Sequence, residues 1–201
     1  MVADLLLKSL EHIWKTLEPL GVPMAVTGGV ALAAWEYLRA TRDVDLLIAI
    51  GEPDIADLLK RLREAQIRPK HDPPVRPLGQ VDLMQVLYEP PATFLDLQID
   101  LLIARSPYHE QALARRVTTQ LPGLALDLSI VACEDIILLK LQAGRIVDLA
   151  DAASILRLNR SALDVGYLMV WSRKLAVEPA LMEIWREALP DEELPRGATD
   201  G

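Results

Sequence analysis

Residues 27–50, TGGVALAAWEYLRATRDVDLLIAI, decide the fold. Gly28 and Gly29 follow the short stretch Pro23–Thr27, predicted to be a strand, and precede VALAAWEYL, which is rich in helix formers. They are therefore predicted to lie at a strand-to-helix turn. The stretch Asp43–Ile50 is predicted to be a second strand, apolar except for two aspartates near its start. Since a strand covered on both faces is usually apolar throughout, these carboxylates indicate a function.

The two aspartates, Asp43 and Asp45, are predicted to share one face of this strand because successive side chains alternate. Two ionised carboxylates so close repel each other, and water, an arginine or a divalent cation is the usual remedy. Asp100 interrupts the later apolar strand LDLQIDLLIA in the same way. If the two strands are neighbours, the three carboxylates converge. Such a site suits two Mg²⁺ ions and in-line phosphoryl transfer.

The glycine turn offers a place for the phosphates of a donor nucleotide. Glycine has no side chain to obstruct a phosphate, and the first amides of a helix carry partial positive charge. We therefore expect Gly28 and Gly29 to cradle phosphate, with Thr27 or the amides of the turn in contact with a triphosphate.

The rest of the chain is predicted to be helical at both ends and strand-rich between. The apolar periodicity predicts helices over 5–17, 52–67 and 107–116, and further helices from 133 onward. Strands are predicted over 81–89, 92–104 and 121–131. The proline-rich stretch 68–79 is predicted to be a loop. The predicted class is α+β, with a mixed sheet flanked by helices in residues 1–131. A helical lobe packed on this core (132–189) and a flexible tail (190–201) would follow.

Composition narrows the class of protein. The chain has 201 residues, of which 51% are apolar, and a net charge of −8, which argues against a general electrostatic mode of nucleic-acid binding. A local basic patch remains an alternative. The single cysteine, Cys133, cannot form an internal disulfide. No apolar run approaches the ~18 residues of a membrane span. We expect a cytoplasmic protein without a membrane partner.

Several motifs together resemble a known family. Gly-Gly, thirteen intervening residues, Asp-Val-Asp and a later strand aspartate resemble the nucleotidyltransferase superfold related to DNA polymerase beta. More narrowly, RATRDVDLLI, IDLLIA followed by SPYHEQAL, and EDIILLKLQAGRIVDLADAASIL resemble the AbiEii-like nucleotidyltransferases of bacterial toxin–antitoxin and phage-defence modules. The resemblance covers about Pro23 to Leu156. The chain departs from the commoner Gly-Ser form by carrying Gly29, which removes one hydroxyl.

The resemblance implies an activity and further residues. It implies an NTP donor, Mg²⁺, transfer of a nucleotidyl group to a hydroxyl, and metal ligation by Asp43, Asp45 and Asp100. It also implies that Lys140 and Asp148 reach the site from the helical lobe, where the lysine would contact phosphate. A cognate antitoxin would be a partner.

Each motif alone has a simpler interpretation. Gly-Gly can be an ordinary turn, the Asp-Val-Asp pair a solvated strand end, and Asp100 a structural residue. Asp148 and Asp151 can cap a helix, and Lys140 can be a solvated lysine. The occurrence of all these motifs in order favours the functional interpretation.

The overall hypothesis is a Mg²⁺-dependent transferase that moves NMP from an NTP to a hydroxyl of an RNA, a protein or a small molecule. The alternative is a non-catalytic module on the same fold that binds nucleotide or inhibits a partner. The intact acids favour the enzyme, because a scaffold has no need for mutually repelling carboxylates.

Overall fold

The structure, a computed structural model, describes residues 2–121, 123–193 and 195, and it divides into two compact units. The sheet unit comprises the residues up to Ala34 and Arg39–Val131. The helical unit comprises Trp35–Leu38 and the residues from Ala132 onward. Of the tail predicted at 190–201, residues 194 and 196–201 lie outside the described part of the chain.

The described strands of the sheet unit form one eight-stranded mixed sheet. They are β1 (Met24–Thr27), β2 (Asp43–Ile48), β3 (Ile67–Pro69), β4 (Val75–Leu78), β5 (Val81–Tyr88), β6 (Leu97–Ala104), β7 (Val117–Gln120) and β8 (Asp127–Ile130). The strand order is β3-β5-β6-β2-β1-β8-β7, and β4 also pairs with β5. β2 runs parallel to β6 and antiparallel to β1. The predicted α+β class with a mixed sheet is confirmed.

Helices flank this sheet. They are α1 (Val2–Leu17), α2 (Gly28–Ala31), α3 (Ile55–Glu64) and α4 (Pro107–Ala114). The apolar stripe of α1 buries Leu10, Ile13 and Leu17, and α1 contacts both α3 and β2.

The central strands β2 and β6 present two different faces. On one face the aliphatic side chains of Val44, Leu46, Ile99 and Leu101 are fully buried. The alternating positions of the other face are polar near the start of both strands and only half-buried. This open polar face is the place where the aspartates lie.

The helix after the glycines is shorter than predicted. α2 ends at Ala31, a 3₁₀ helix continues over Leu32–Trp35, and Glu36 has a left-handed φ of 61°. Helix propensity is a weak preference that tertiary context overrides. A stretch of good helix formers therefore does not fix where this helix ends.

The prediction of a loop over residues 68–79 was wrong, because this stretch contains β3 and β4. Proline lacks the N–H that a central strand needs, so a stretch with four prolines argues against a strand. In the sheet, β3 and β4 share one edge of β5, with Ile67–Pro69 beside 86–88 and Val75–Leu78 beside 81–84. Edge positions tolerate proline, which is why strands form here.

The helical unit consists mainly of α5 (Cys133–Ala143), α6 (Ile146–Asn159), α7 (Val165–Lys174) and α8 (Glu178–Ala188). α5 ends at Gly144, whose φ of 66° is the left-handed conformation that glycine adopts at helix ends. α5 contacts α6 and α7, and α6 and α7 contact α8. Among the described helices, none combines the length and the apolarity that a membrane crossing requires.

Candidate active site

The register of β2 and β6 brings the three aspartates together. Asp45 lies opposite Asp100, and Asp43 lies opposite Gln98. Since these positions all belong to the open face of the sheet, the carboxylates of Asp43, Asp45 and Asp100 converge, with one oxygen of each within 4.8 Å of the others. All three side chains are half-buried. We call this group the acid cluster.

Asp43 is held by a hydroxyl next to the glycine turn. Thr41 Oγ1 donates a hydrogen bond to Asp43 Oδ1 at 2.8 Å. A Cβ atom at Gly29 would lie 2.6 Å from Thr41 Oγ1, closer than a real Cβ contact allows. Gly29 therefore makes room for Thr41. Any side chain at position 29, including the serine of the commoner motif, would compete with Thr41 for this space.

The carboxylate of Asp45 packs against Gly28. Gly28 has a φ of 60°, and a Cβ atom there would lie 1.8 Å from Asp45 Oδ2. Glycine is required at this position for two reasons, because its backbone is left-handed and because the carboxylate occupies the space of a side chain. The Gly-Gly motif thus builds the acid cluster directly, whether or not its amides also bind phosphate.

Asp100 receives hydrogen bonds from two glutamines. Gln98 Nε2 donates to Oδ1 at 2.9 Å, and Gln85 Nε2 lies 3.1 Å from Oδ1 and 3.3 Å from Oδ2. Burial raises the pKa of Asp100 above its ordinary value, and the two amide hydrogen bonds oppose this rise. The negative charge of Asp43 adds to it.

Thr27, also expected to contact a phosphate, lies beside the acid cluster. It is buried at the end of β1 and pairs in register with Asp45. The turn at Gly28 follows it directly, so Thr27, the glycines and the acids belong to one end of the sheet unit.

The donor set of the acid cluster fits a hard divalent cation. Carboxylate oxygens are the ligands that Mg²⁺ prefers, and oxygens within 4.8 Å of one another can bind a common ion. The described partners of Asp43 and Asp100 are a hydroxyl and two amides, all of them neutral. A bound cation would offset the repulsion that these neutral donors leave.

Lys140 and Asp148, which the resemblance assigns to the same site, belong to the helical unit and contact each other there. Lys140 Nζ lies 2.8 Å from both Asp148 Oδ1 and Asp151 Oδ2, and all three side chains are buried. We call these three residues the ion cluster. Lys140 is thus not the solvated lysine of the simpler interpretation.

Asp148 does not act mainly as a helix cap. The N-cap residue of α6 is Arg145, and the described hydrogen bonds to the Asp148 carboxylate come from the side chains of Lys140 and Arg145. Burial alone would raise the pKa of Asp148, but hydrogen bonds from Arg145 and Lys140 outweigh it and hold the pKa below its ordinary value. Asp148 is therefore ionised and paired.

Three residues of the site were not predicted from the sequence. Gln98 precedes Asp100 by two positions on β6, so strand alternation places both on the same face. Thr41 precedes Asp43 by two positions but lies before β2 begins, so alternation does not reach it. Gln85 lies opposite Asp100, which only the pairing of β5 with β6 reveals.

The mixed sheet, the glycine turn at the end of the internal strand β1 and the convergent acids are the features of a nucleotidyltransferase. The chain belongs to the AbiEii family, nucleotidyl transferase toxins of type IV toxin–antitoxin systems, whose family model matches residues 12–189. Membership indicates nucleotidyl transfer as the general activity. No curated protein sequence matches the chain.

Solved structures share the fold at low sequence identity. A nucleotidyltransferase-like antigenic protein from Paracoccidioides brasiliensis is 17% identical with a TM-score of 0.57, over 92% of this chain and 89% of that one. JHP933 from Helicobacter pylori is 18% identical with a TM-score of 0.53, over 96% and 82%. The antibiotic-resistance factor ANT(2'')-Ia is 14% identical with a TM-score of 0.54, over 93% and 99%. At these identities the likeness concerns the fold.

Proposed function

We propose that this protein is a Mg²⁺-dependent nucleotidyltransferase that moves NMP from an NTP to a hydroxyl of an RNA, a protein or a small molecule. The observation that carries the proposal is the acid cluster, in which carboxylate oxygens from two paired strands lie within 4.8 Å of one another. Family membership supports the reaction type. The identity of the acceptor has to be found by experiment.

The acid cluster supplies the metal ligands in this proposal. Asp43 and Asp45 would hold the divalent ions, and Asp100 would complete the second site. When bound, the ions stabilise negative charge on the transferring phosphoryl group and on the leaving pyrophosphate. Asp100 would also favour loss of the proton from the acceptor hydroxyl.

In this proposal the donor phosphates bind at the glycine turn. Gly28 and Gly29 have no side chains to obstruct their backbone N–H groups, and Thr27 lies directly before them. The resemblance also assigns Lys140 and Asp148 to the donor site, with Lys140 as a point charge for a donor phosphate.

Family membership supports a biological setting for the activity. We infer a role in a toxin–antitoxin or phage-defence module, in the cytoplasm, with a cognate antitoxin protein as partner.

The test is transfer of label from radioactive NTPs to an acceptor. Purified protein is incubated with each α-labelled NTP, Mg²⁺ and, in separate reactions, total RNA, total protein or small hydroxyl compounds, and pyrophosphate release is followed. Asp43→Asn and Asp45→Asn should each lower labelling about a thousandfold, since metal coordination contributes several kcal/mol and each ~1.4 kcal/mol is a factor of ten. Circular dichroism checks that the variants fold.

The matched control is Asp127→Asn, which removes an exposed carboxylate at the start of β8, another strand of the same sheet. Its labelling should equal that of the wild type. Unchanged labelling in Asp43→Asn would refute the metal role. Tight NTP binding without pyrophosphate release across all acceptors would instead support the non-catalytic module.

A further inference from the structure

Two glutamines connect Asp100 to the edge of the sheet. Gln85 lies opposite Asp100 on β5, and Gln98 precedes Asp100 by two residues on β6, so both lie on the open face. Each glutamine has one described partner at its other end. Lys70 Nζ donates to Gln98 Oε1 at 2.6 Å, and His71 Nε2 lies 2.9 Å from Gln85 Oε1.

The direction of the two chains of hydrogen bonds is fixed by chemistry. A glutamine amide can present either its oxygen or its NH₂ group to a neighbour, and an oxygen turned toward Asp100 would repel the carboxylate. The Lys70 ammonium can only donate, so it binds the oxygen of Gln98 and leaves the NH₂ group for Asp100. His71 does the same for Gln85 when Nε2 carries the proton.

The donors act unequally on the two oxygens of Asp100. Oδ1 receives both amides, at 2.9 and 3.1 Å, whereas Oδ2 lies 3.3 Å from a single amide. The carboxylate is therefore held through Oδ1, and Oδ2 keeps more of its capacity for a cation. Outer groups that orient a ligand in this way typically change metal affinity about 10- to 100-fold when they are removed.

The outer pair is itself anchored to the sheet. The backbone N–H of Lys70 donates to the carbonyl oxygen of Gln85 at 2.9 Å, which docks the segment after β3 on β5. The Lys70 side chain is exposed, and the His71 side chain is half-buried. Neither residue touches the acid cluster directly in the described hydrogen bonds.

We propose that Lys70 and His71 are positioning residues, which orient Gln98 and Gln85 and through them present Asp100 Oδ2 to the divalent cation. This inference rests on the proposed function for its purpose, but it concerns cation binding and can be measured without turnover. It predicts that an exposed lysine at the sheet edge controls metal affinity through a neutral amide.

The experiment measures Mn²⁺ binding to the full chain by electron paramagnetic resonance, with no nucleotide present. Gln98→Leu and Gln85→Leu should each weaken Mn²⁺ binding about tenfold, and Lys70→Met about threefold to tenfold. Lys70→Arg, which keeps a donor, should restore most of the affinity. In the labelling assay the same variants should need more Mg²⁺ for half-saturation while kcat at saturating Mg²⁺ changes little.

The matched control is Arg68→Met, which removes a positive charge two residues from Lys70. Arg68 pairs with Asp96 at 2.5 Å and has no described hydrogen bond to either glutamine. Mn²⁺ affinity should stay within twofold of the wild type. Equal losses in Arg68→Met and Lys70→Met would overturn the inference, because a loss at a residue without a glutamine contact would reflect general disturbance of this edge of the sheet. The lost positive charge alone would strengthen Mn²⁺ binding, so it cannot cause a loss.

Separate readouts distinguish failure of this inference from failure of the proposed function. Unchanged Mn²⁺ affinity in Lys70→Met and Gln98→Leu overturns the positioning role even if the wild type transfers nucleotide. Weakened Mn²⁺ binding in these variants supports the role even if no acceptor is labelled. Absence of Mn²⁺ binding by the wild type overturns it as well.

Discussion

The acid cluster of the sheet unit and the ion cluster of the helical unit both gather carboxylates, but the hydrogen-bond donors described for Asp43 and Asp100 differ in charge from the donor that Asp148 and Asp151 share. Asp148 and Asp151 share the ammonium of Lys140, 2.8 Å from each. Asp43 and Asp100 receive hydrogen bonds from a hydroxyl and from amides, which are neutral. The first arrangement is a completed structural interaction, whereas the second retains negative charge that suits an added cation.

The largest expected effect comes from removing the internal cation of the ion cluster. Lys140→Met leaves two buried carboxylates without their shared ammonium, so the free energy of unfolding should fall by about 3–5 kcal/mol. Asp43→Asn removes a repelling charge from the acid cluster and should leave stability within about 1 kcal/mol of the wild type. Urea unfolding followed by circular dichroism measures both.

Lys60→Met serves as the control for the lysine change, because Lys60 is an exposed residue of α3. Its free energy of unfolding should change by no more than about 0.5 kcal/mol. Adding Asp148→Asn and Asp151→Asn to Lys140→Met should recover part of the loss. If Lys140→Met were as stable as Lys60→Met, the ion cluster would not be structural and the comparison would fail.

The second prediction concerns the packing of the Asp45 carboxylate against Gly28. Gly28→Ala places a methyl group 1.8 Å from Asp45 Oδ2 and also strains a left-handed backbone, so we expect a loss of about 2–3 kcal/mol together with most of the labelling activity. Gly79 provides the control, since it has a φ of 61° and a Cβ atom there would have no neighbouring atom within 4 Å. Gly79→Ala should cost only the backbone strain, about 1–2 kcal/mol, and keep full activity.

The difference between the two alanine variants isolates the contact with Asp45, because the backbone strain is common to both. Equal losses of stability and equal activities would show that Gly28 matters only for its backbone. The acid cluster would then not depend on the glycine turn.

Local patterns predict much of the sheet unit. The glycine turn between Thr27 and Val30, the alternation that places Asp43 beside Asp45, and the apolar stretch around Asp100 are all visible in the sequence, since each depends on near neighbours. The end of α2 and the edge strands β3 and β4 cannot be predicted from the sequence in this way, because tertiary contacts determine them.

Contacts across long separations are also hidden from a single sequence. Gln85 meets Asp100 only because β5 pairs with β6, and Lys140 meets Asp148 and Asp151 only because α5 packs on α6. A side chain that binds an acid from two positions away on the same strand, such as Gln98, could be sought by alternation in related chains.

The smallest expected effect concerns pH: the contributions of Asp148 and Asp100 to the free energy of unfolding should change in opposite directions as the pH changes. The pKa of Asp148 is lowered in the folded protein, so its contribution to stability is present above the ordinary value of 3.8 and is lost as the pH falls through the folded pKa. The pKa of Asp100 is raised, so protonated Asp100 favours the folded state. That contribution is present below 3.8 and is lost as the pH rises through the folded pKa.

Urea unfolding in EDTA between about pH 3 and pH 7 should separate these opposite signs, since a shift of one pKa unit corresponds to about 1.4 kcal/mol. Relative to the wild type, Asp100→Asn should gain stability as the pH rises, because the wild type then carries the poorly solvated charge. The deficit of Asp148→Asn should shrink as the pH falls, because the wild type then loses its ion pair. If both differences moved in the same direction with pH, the two carboxylates would sit in similar electrostatic environments. The contrast drawn between the ion cluster and the acid cluster would then be refuted.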